Sequence, residues 1–292
     1  MTAGHPEQPA RLGAIEDQLR AQGLYDFLMH REAPRASDEQ IRRVHSQEHI
    51  DALRARSPTH GLLAVDPDTT MCPATLEAAL RAAGANVLAT DLVMQGAARR
   101  AFCNVRPPGH HAEREQAMGF CFFNNVAVGA AHALAVHGLE RVAILDFDVH
   151  FGNGTADIFE GDERVLLCST YQYPLYPDMD PPTVPDQSIN CPLPAGSGSA
   201  EFRKAITAEW LPALESFAPE MIFVSAGFDA HANDPLADLR LAIDDYAWVT
   251  ELICSVAARH ANGRIVSTLE GGYDLTALAT CAFAHIERLM NA

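Results

Sequence analysis

Hydrophobic residues gather along this chain in short continuous runs that end in glycine or polar residues. AFCNV (101–105), RVAILDFDV (141–149), RVLLCST (164–170), MIFVSAGF (221–228) and RIVSTLEGG (264–272) are of this kind. Runs without polar alternation are what strands buried on both faces need, and such strands belong to parallel sheets. Between the runs, the apolar positions take a helical spacing. Residues 73–94 open with Pro73 and carry Leu76, Leu80, Val87, Leu88 and Leu92; residues 124–137 open with Asn124 and Asn125 and stop at Gly138. Residues 199–217, 244–260 and 274–290 read in the same way. Alternation of this sort predicts an α/β chain, a single-domain three-layer α/β/α sandwich with a mainly parallel central sheet. No repeat, low-complexity linker or shift of composition divides residues 1–292. In such sheets the ligand site lies beyond the carboxyl ends of the strands.

Composition narrows the function without naming it. With 48% hydrophobic and 20% charged residues among 292, the chain can bury a large core without cross-links. A net charge of −17 argues against nucleic acid as a partner, which needs a basic footprint. It is compatible with a cationic substrate by steering, although solubility is the simpler account and needs no substrate at all. Seven cysteines, none spaced as Cys-x-x-Cys, point to reduced thiols in a cytoplasmic protein. The polar start MTAGHPEQPARL is no secretory signal, and no apolar run has the length of a membrane span. Nothing in the pattern specifies an oligomer.

Chemistry is concentrated at four predicted strand ends. In an extended segment Asp146, Asp148 and His150 share a face. Two carboxylates at the end of a buried strand need a cation, and a divalent metal on Asp148 and His150 would meet that need. A solvent-facing acidic strand end fits the same residues. A metal site needs a third ligand, and the segment from Ser225 to Leu236 offers Asp229, His231 or Asp234, though an Asp-Pro turn accounts for it as well. Arg106-Pro107-Pro108-Gly109-His110-His111 supplies tandem histidines, the makings of a general acid/base pair. Glu270-Gly271-Gly272-Tyr273 supplies a close-approaching backbone and a phenol able to donate to an oxyanion, or simply a turn before a helix.

Together RPPGHH, MGFCFFNN, DFDVHFGNGT, GFDAHANDPL and EGGY stand in the order seen in the arginase–deacetylase superfamily. The chain resembles the histone deacetylase branch, closest to class II and bacterial deacetylase-like amidohydrolases, from about Gly4 to the C-terminus. The resemblance implies the arginase–deacetylase fold and a zinc (Zn2+) ion on Asp148, His150 and Asp234, a ligand set that also admits Fe2+. It implies that His111 is general base and then acid, that His110 is its electrostatic partner, and that Asp146 bonds His110. Asn153 stands where class I enzymes have Asp beside the second histidine, which implies a less basic His111. Tyr273 matches the oxyanion-stabilising tyrosine. Structural K+ is implied at Asp146, Asp148, His150, Ser169 and Thr170, with a second monovalent site at Phe159 and Val165. Gly119, Phe120, Tyr176 and Leu236 match the walls of the substrate tunnel. The family's short strand ahead of Gly4-His5-Pro6-Glu7 has no counterpart in this sequence, which implies either that the sheet lacks this edge strand or that Met1 is not the native start.

The implied activity is zinc-dependent hydrolysis of an N-acetyl amide, releasing acetate from an acetylated amine such as acetyl-lysine. An acetylpolyamine is an alternative substrate, disfavoured by Leu236 where vertebrate polyamine-type members carry Glu. An arginase-like dimanganese ureohydrolase would need a second aspartate-rich set that His150-Phe151-Gly152-Asn153 does not supply. A non-catalytic reader of acetyl groups would have no use for Tyr273 and the tandem histidines.

Overall fold

The computed structural model describes residues 4–179 and 187–292. In chain order the elements are α1 (Ala10–Ala21), α2 (Asp38–Ile41), α3 (Gln47–Arg56), a two-stranded hairpin of β1 (Leu63–Ala64) and β2 (Thr70–Met71), α4 (Thr75–Met94), β3 (Arg100–Cys103), α5 (Asn125–Val136) and β4 (Val142–Asp146). There follow α6 (Asn153–Phe159), β5 (Val165–Gln172), β6 (Ser188–Leu193), α7 (Ser199–Ala205), α8 (Leu211–Phe217), β7 (Met221–Ala226), α9 (Ile243–His260), β8 (Ile265–Leu269) and α10 (Leu275–Asn291). A π-helical turn, Ile206–Trp210, joins α7 to α8.

Six strands form one sheet in the order β3-β8-β7-β4-β5-β6, every neighbouring pair parallel. Strands β4, β5, β7 and β8 are buried at every residue, which is why their sequences are continuous apolar runs. Trp210, Phe228, Tyr246, Ile253 and Leu278 fill one face of the sheet. Val126, Ala130, Ile144 and Phe223 pack the other, so the sandwich has its expected three layers. A third cluster, with Ile41, Val44, Leu53 and Phe123, sits under the N-terminal helices.

Two helix caps fix the loops that carry chemistry. The Asn124 side chain accepts from Ala127 N–H at 3.1 Å and starts α5 just after Gly119-Phe120. Asp274 accepts from Ala277 N–H at 2.8 Å and starts α10 just after Tyr273. Among the described residues β3 is a sheet edge, and a cavity of about 730 Å³ lies beside it between α1, α4 and α10; none of the predicted site residues lines it. All seven cysteines are free thiols, six of them buried. No helix of the described residues is long and apolar enough to cross a membrane.

Candidate active site

The carboxyl ends of β3, β4, β7 and β8 converge on one buried group. Strand β4 stops at Asp146, and the next residues bend rather than extend, so strict alternation does not carry to His150. Side-chain bonds close the bend instead. Asp146 Oδ1 accepts from Asp148 N–H at 3.0 Å, and Asp148 Oδ1 accepts from His150 N–H at 2.9 Å. Asp148 Oδ2 accepts from Gly271 N–H at 2.7 Å, which ties the bend to the end of β8. Gly271 has to be glycine: a Cβ there would fall 1.8 Å from Asp229 Oδ2.

Asp148, His150 and Asp229 place their ligand atoms within 4.8 Å of one another, and all three are buried. Asp229 Oδ1 accepts from Val149 N–H at 3.0 Å. Its Oδ2, 3.3 Å from His150 Nδ1, is buried with no hydrogen-bond partner. Asp234, the expected third member, is not in the group. One of its carboxylate oxygens accepts from Tyr273 N–H (2.7 Å) and Asp274 N–H (3.3 Å), the other from Leu236 N–H (3.1 Å). Asp234 thus braces the turn that presents Tyr273, and Asp229, three residues past β7, lies beside Asp148 and His150; burial, then Asp229, raises Asp234 to about 7, so both carboxylates of this loop belong to the same acidic pocket.

Electrostatics of this group call for a cation. Asp146, Asp148, Asp229 and Glu270 are at most 1% exposed. Burial, then Asp148, pushes Asp229 up; burial likewise raises Asp146, and raises Glu270 to about 7. Burial works against the charge on His150 too, yet the nearby carboxylates of Asp148 and Asp229 raise it to about 10. Four carboxylates thus compete for very little positive charge. The donor set fits a divalent ion: two carboxylates and an imidazole, one oxygen of them unpartnered, in a dry pocket. Ser169 Oγ, beside Asp146 in the β4–β5 register, is another buried oxygen with no partner; Thr170 is buried next to it. Phe159 ends α6 and Val165 begins β5.

The tandem histidines lie over this group with their rings 4.1 Å apart. His110 Nδ1 lies 3.0 Å from Asp146 Oδ2, and its Nε2 lies 3.7 Å from Asp148 Oδ1. Burial disfavours charge on His110, but Asp148 and Asp146 outweigh it and hold its pKa well up. His111 goes the other way: burial, then repulsion from His110 and His150, hold its pKa well down. Its Nδ1 lies 2.7 Å from Asn153 Oδ1. Tyr176 stands edge-on to the rings of His111 (5.1 Å) and His150 (6.3 Å).

Gly119 has φ +55°, and a Cβ on it would meet the His111 ring at 2.5 Å, so only glycine lets this loop pass. Phe120 packs edge-on to Tyr273 at 6.0 Å and donates its N–H to Thr69 Oγ1 at 2.9 Å. Leu236 is half-buried beside Asp234.

Several residues here escaped sequence reasoning. Arg11 is buried, stacks on the Tyr273 ring at 5.0 Å and donates to Gly272 O at 2.7 Å. Glu7 binds Arg106 through two bonds of 2.7 Å at the root of the histidine loop. Glu270 Oε2 accepts from Gly109 N–H (2.6 Å) and His110 N–H (3.2 Å). Glu113 Oε1 accepts from Asn153 Nδ2 at 2.7 Å. The Glu7/Arg11 spacing of four becomes a signal only once a helix is assigned there; Glu270 stands in the EGGY motif, but nothing in the sequence marks its bonds to the histidine loop, and Glu113 carries no signal.

A family model described as "Histone deacetylase domain" matches residues 5–289. The histone deacetylase-like amidohydrolase of Pseudomonas aeruginosa is 40% identical over 98% of this chain and 77% of its own length. A probable deacetylase of Archaeoglobus fulgidus is 37% identical over 93% of this chain and 77% of its own. The human polyamine deacetylase HDAC10 is 35% identical over 98% of this chain but 44% of its own. Among solved structures, the crystal structure of the HDA15 HD domain superposes with a TM-score of 0.91 at 32% identity, covering 99% of this chain and 84% of that one.

Proposed function

The chain belongs to the histone deacetylase family, and from that premise we propose that it hydrolyses an N-acetyl amide, releasing acetate from an acetylated amine such as acetyl-lysine. One observation carries the reading: a neutral, base-competent imidazole (His111) and a phenol (Tyr273) flank the buried Asp148–His150–Asp229 group. Asp148, His150 and Asp234 would hold Zn2+, with Asp229 beside them in the same pocket; when bound, the ion supplies Lewis acidity toward the acyl oxygen and the attacking water.

His111 takes a proton from water at Nε2 as the oxygen attacks the carbonyl carbon. It returns that proton to the leaving nitrogen as the C–N bond breaks, giving acetate and amine. Low basicity suits a group that must give the proton back. His110, held positive by Asp146 and Asp148, stabilises negative charge beside it. The Tyr273 hydroxyl donates to the oxyanion, its ring fixed between Arg11 and Phe120. Gly119, Phe120 and Tyr176 would wall the acyl chain's path, with Leu236 at its rim. K+ near Asp146, Asp148, His150, Ser169 and Thr170 would account for the orphaned Ser169 Oγ.

The test is acetate release from an acetyl-lysine peptide, acetylated polyamines and a trifluoroacetyl-lysine reporter, with and without zinc and a hydroxamate. Zinc-dependent, hydroxamate-sensitive turnover supports the reading, and the best substrate defines its class. A zinc-loaded protein inactive on every member of the panel overturns it.

A further inference from the structure

Asn153 is an ambiguous partner for a base. Its side chain can offer His111 either an acceptor or a donor, and the choice decides the imidazole's tautomer. With Oδ1 toward His111, Nδ1 carries the proton and Nε2 keeps the lone pair that a general base needs. With the amide turned over, Nδ1 must accept, Nε2 carries the proton, and base catalysis is lost.

The surroundings of Asn153 settle the matter. The residue is 2% exposed, and its Nδ2 has three neighbours: His111 O at 3.5 Å, Met118 Sδ at 3.4 Å and Glu113 Oε1 at 2.7 Å. The first is at the limit of a hydrogen bond, the second a weak acceptor. Glu113 is the strong one, and a carboxylate accepts without donating. Turning the amide over would set Oδ1 against that carboxylate, two acceptors facing each other at the edge of a buried site. Glu113 itself is half-buried, in the short turn after the histidines that its N–H to Gln116 O bond closes.

We propose that Glu113 is a positioning residue that acts through Asn153: it locks the amide so that His111 holds its proton on Nδ1 and presents Nε2 as the base. The negative charge sits one residue beyond the histidine's partner, on Glu113 rather than on Asn153. His111 thus keeps a fixed tautomer without the added basicity of a directly bonded carboxylate. The inference rests on the proposed role of His111 as base.

Charge reversal gives the test. In Glu113→Lys the introduced ammonium can only donate, so it draws Oδ1 outward and turns Nδ2 toward His111. For the zinc-loaded protein we expect kcat on the best acetylated substrate to fall about a hundredfold, the low end for a lost general base, with KM and zinc content unchanged. Adding Asn153→Asp should restore at least tenfold of that loss, because a carboxylate accepts from both the ammonium and His111 Nδ1. A residue with a merely structural role would not be rescued by changing its neighbour. Histidine nitrogen NMR reads the same point without turnover: Nδ1–H at His111 in the parent and the double variant, Nε2–H in Glu113→Lys.

Glu113→Ala serves if Glu113→Lys does not fold, with a mixture of tautomers and a roughly tenfold loss of kcat expected. The proposal is overturned if Glu113→Lys, or Glu113→Ala in its place, keeps the parent tautomer and kcat within threefold. It is equally overturned if the double variant is no better than Glu113→Lys. A parent protein without turnover would instead count against the deacetylase reading, and the NMR comparison would still decide the role of Glu113.

Discussion

Two groups of histidine and aspartate in this molecule look alike by composition and differ in everything that matters to a metal. Asp148, His150 and Asp229 meet at the strand ends; Asp91, His132 and His137 meet where α4 runs beside α5. In each, three ligand atoms lie within 4.8 Å. The first group is buried and keeps Asp229 Oδ2 without a partner. The second is partly exposed, and its ligand atoms are bonded to one another. Asp91 Oδ1 accepts from His132 Nε2 at 2.9 Å and His137 Nε2 at 2.7 Å. Arg43 Nη1 donates to His132 Nδ1 at 2.9 Å, which fixes the proton on His132 Nε2 and withdraws the lone pair a metal would need. Proximity of ligand types is a weak criterion. Unpaired acceptors in a dry, negatively charged pocket are a strong one.

The largest effect that can break this comparison is loss of the metal. Asp148→Ala should bring bound zinc from one equivalent to near zero and abolish turnover, because two remaining ligands do not hold the ion. Asp234→Asn should likewise lose most of the zinc, since Asp234 Oδ1 carries only one backbone N–H and keeps a lone pair for the ion, whereas Asp229→Asn should retain it. Metal analysis of the purified variants decides it; if Asp234→Asn kept the ion and Asp229→Asn lost it, Asp229 would be the third ligand instead. Tyr273→Phe comes next. It should retain zinc but lower kcat by about a hundredfold, in the range for a lost oxyanion donor. An unchanged kcat would take Tyr273 out of the chemistry.

What the sequence could tell follows the same line between composition and geometry. The buried strands were legible because each reads as one apolar run, and helices at 73–94 and 124–137 were legible from their spacing and caps. Strand β6 was not: it is an edge strand of mixed burial with Pro192 inside it. Helix α1 was missed because only Arg11, Ile15 and Leu19 face inward, a thin stripe with a charged residue in it. Spacing alone left Asp229, His231 and Asp234 open as the third ligand, and only the resemblance named Asp234. Asp229 and Asp234 sit in one loop and share one acidic pocket, which no spacing along the chain reveals. Glu113 was beyond reach, since its meaning arises only when Asn153 is seen to have one strong acceptor.

The smallest predicted effect concerns the second group. Asp91→Asn should leave zinc stoichiometry and kcat unchanged, since nothing there reaches the strand ends. Its consequence is for stability. Burial alone would raise the Asp91 pKa, but the bonds from His132 and His137 outweigh it and hold it below the usual carboxylate range. A group with a depressed folded-state pKa stabilises the protein above its unfolded value, near 4, and loses that contribution as pH falls through the folded value. The carboxylate is 34% exposed, so solvent screening keeps the contribution within about 1 kcal/mol. Thermal melts of parent and variant should therefore differ slightly at pH 7 and converge as the pH is lowered below 4. Convergence on raising the pH instead would mean that the histidines, not Asp91, carry the linkage. Any loss of zinc would mean that this surface group binds metal after all.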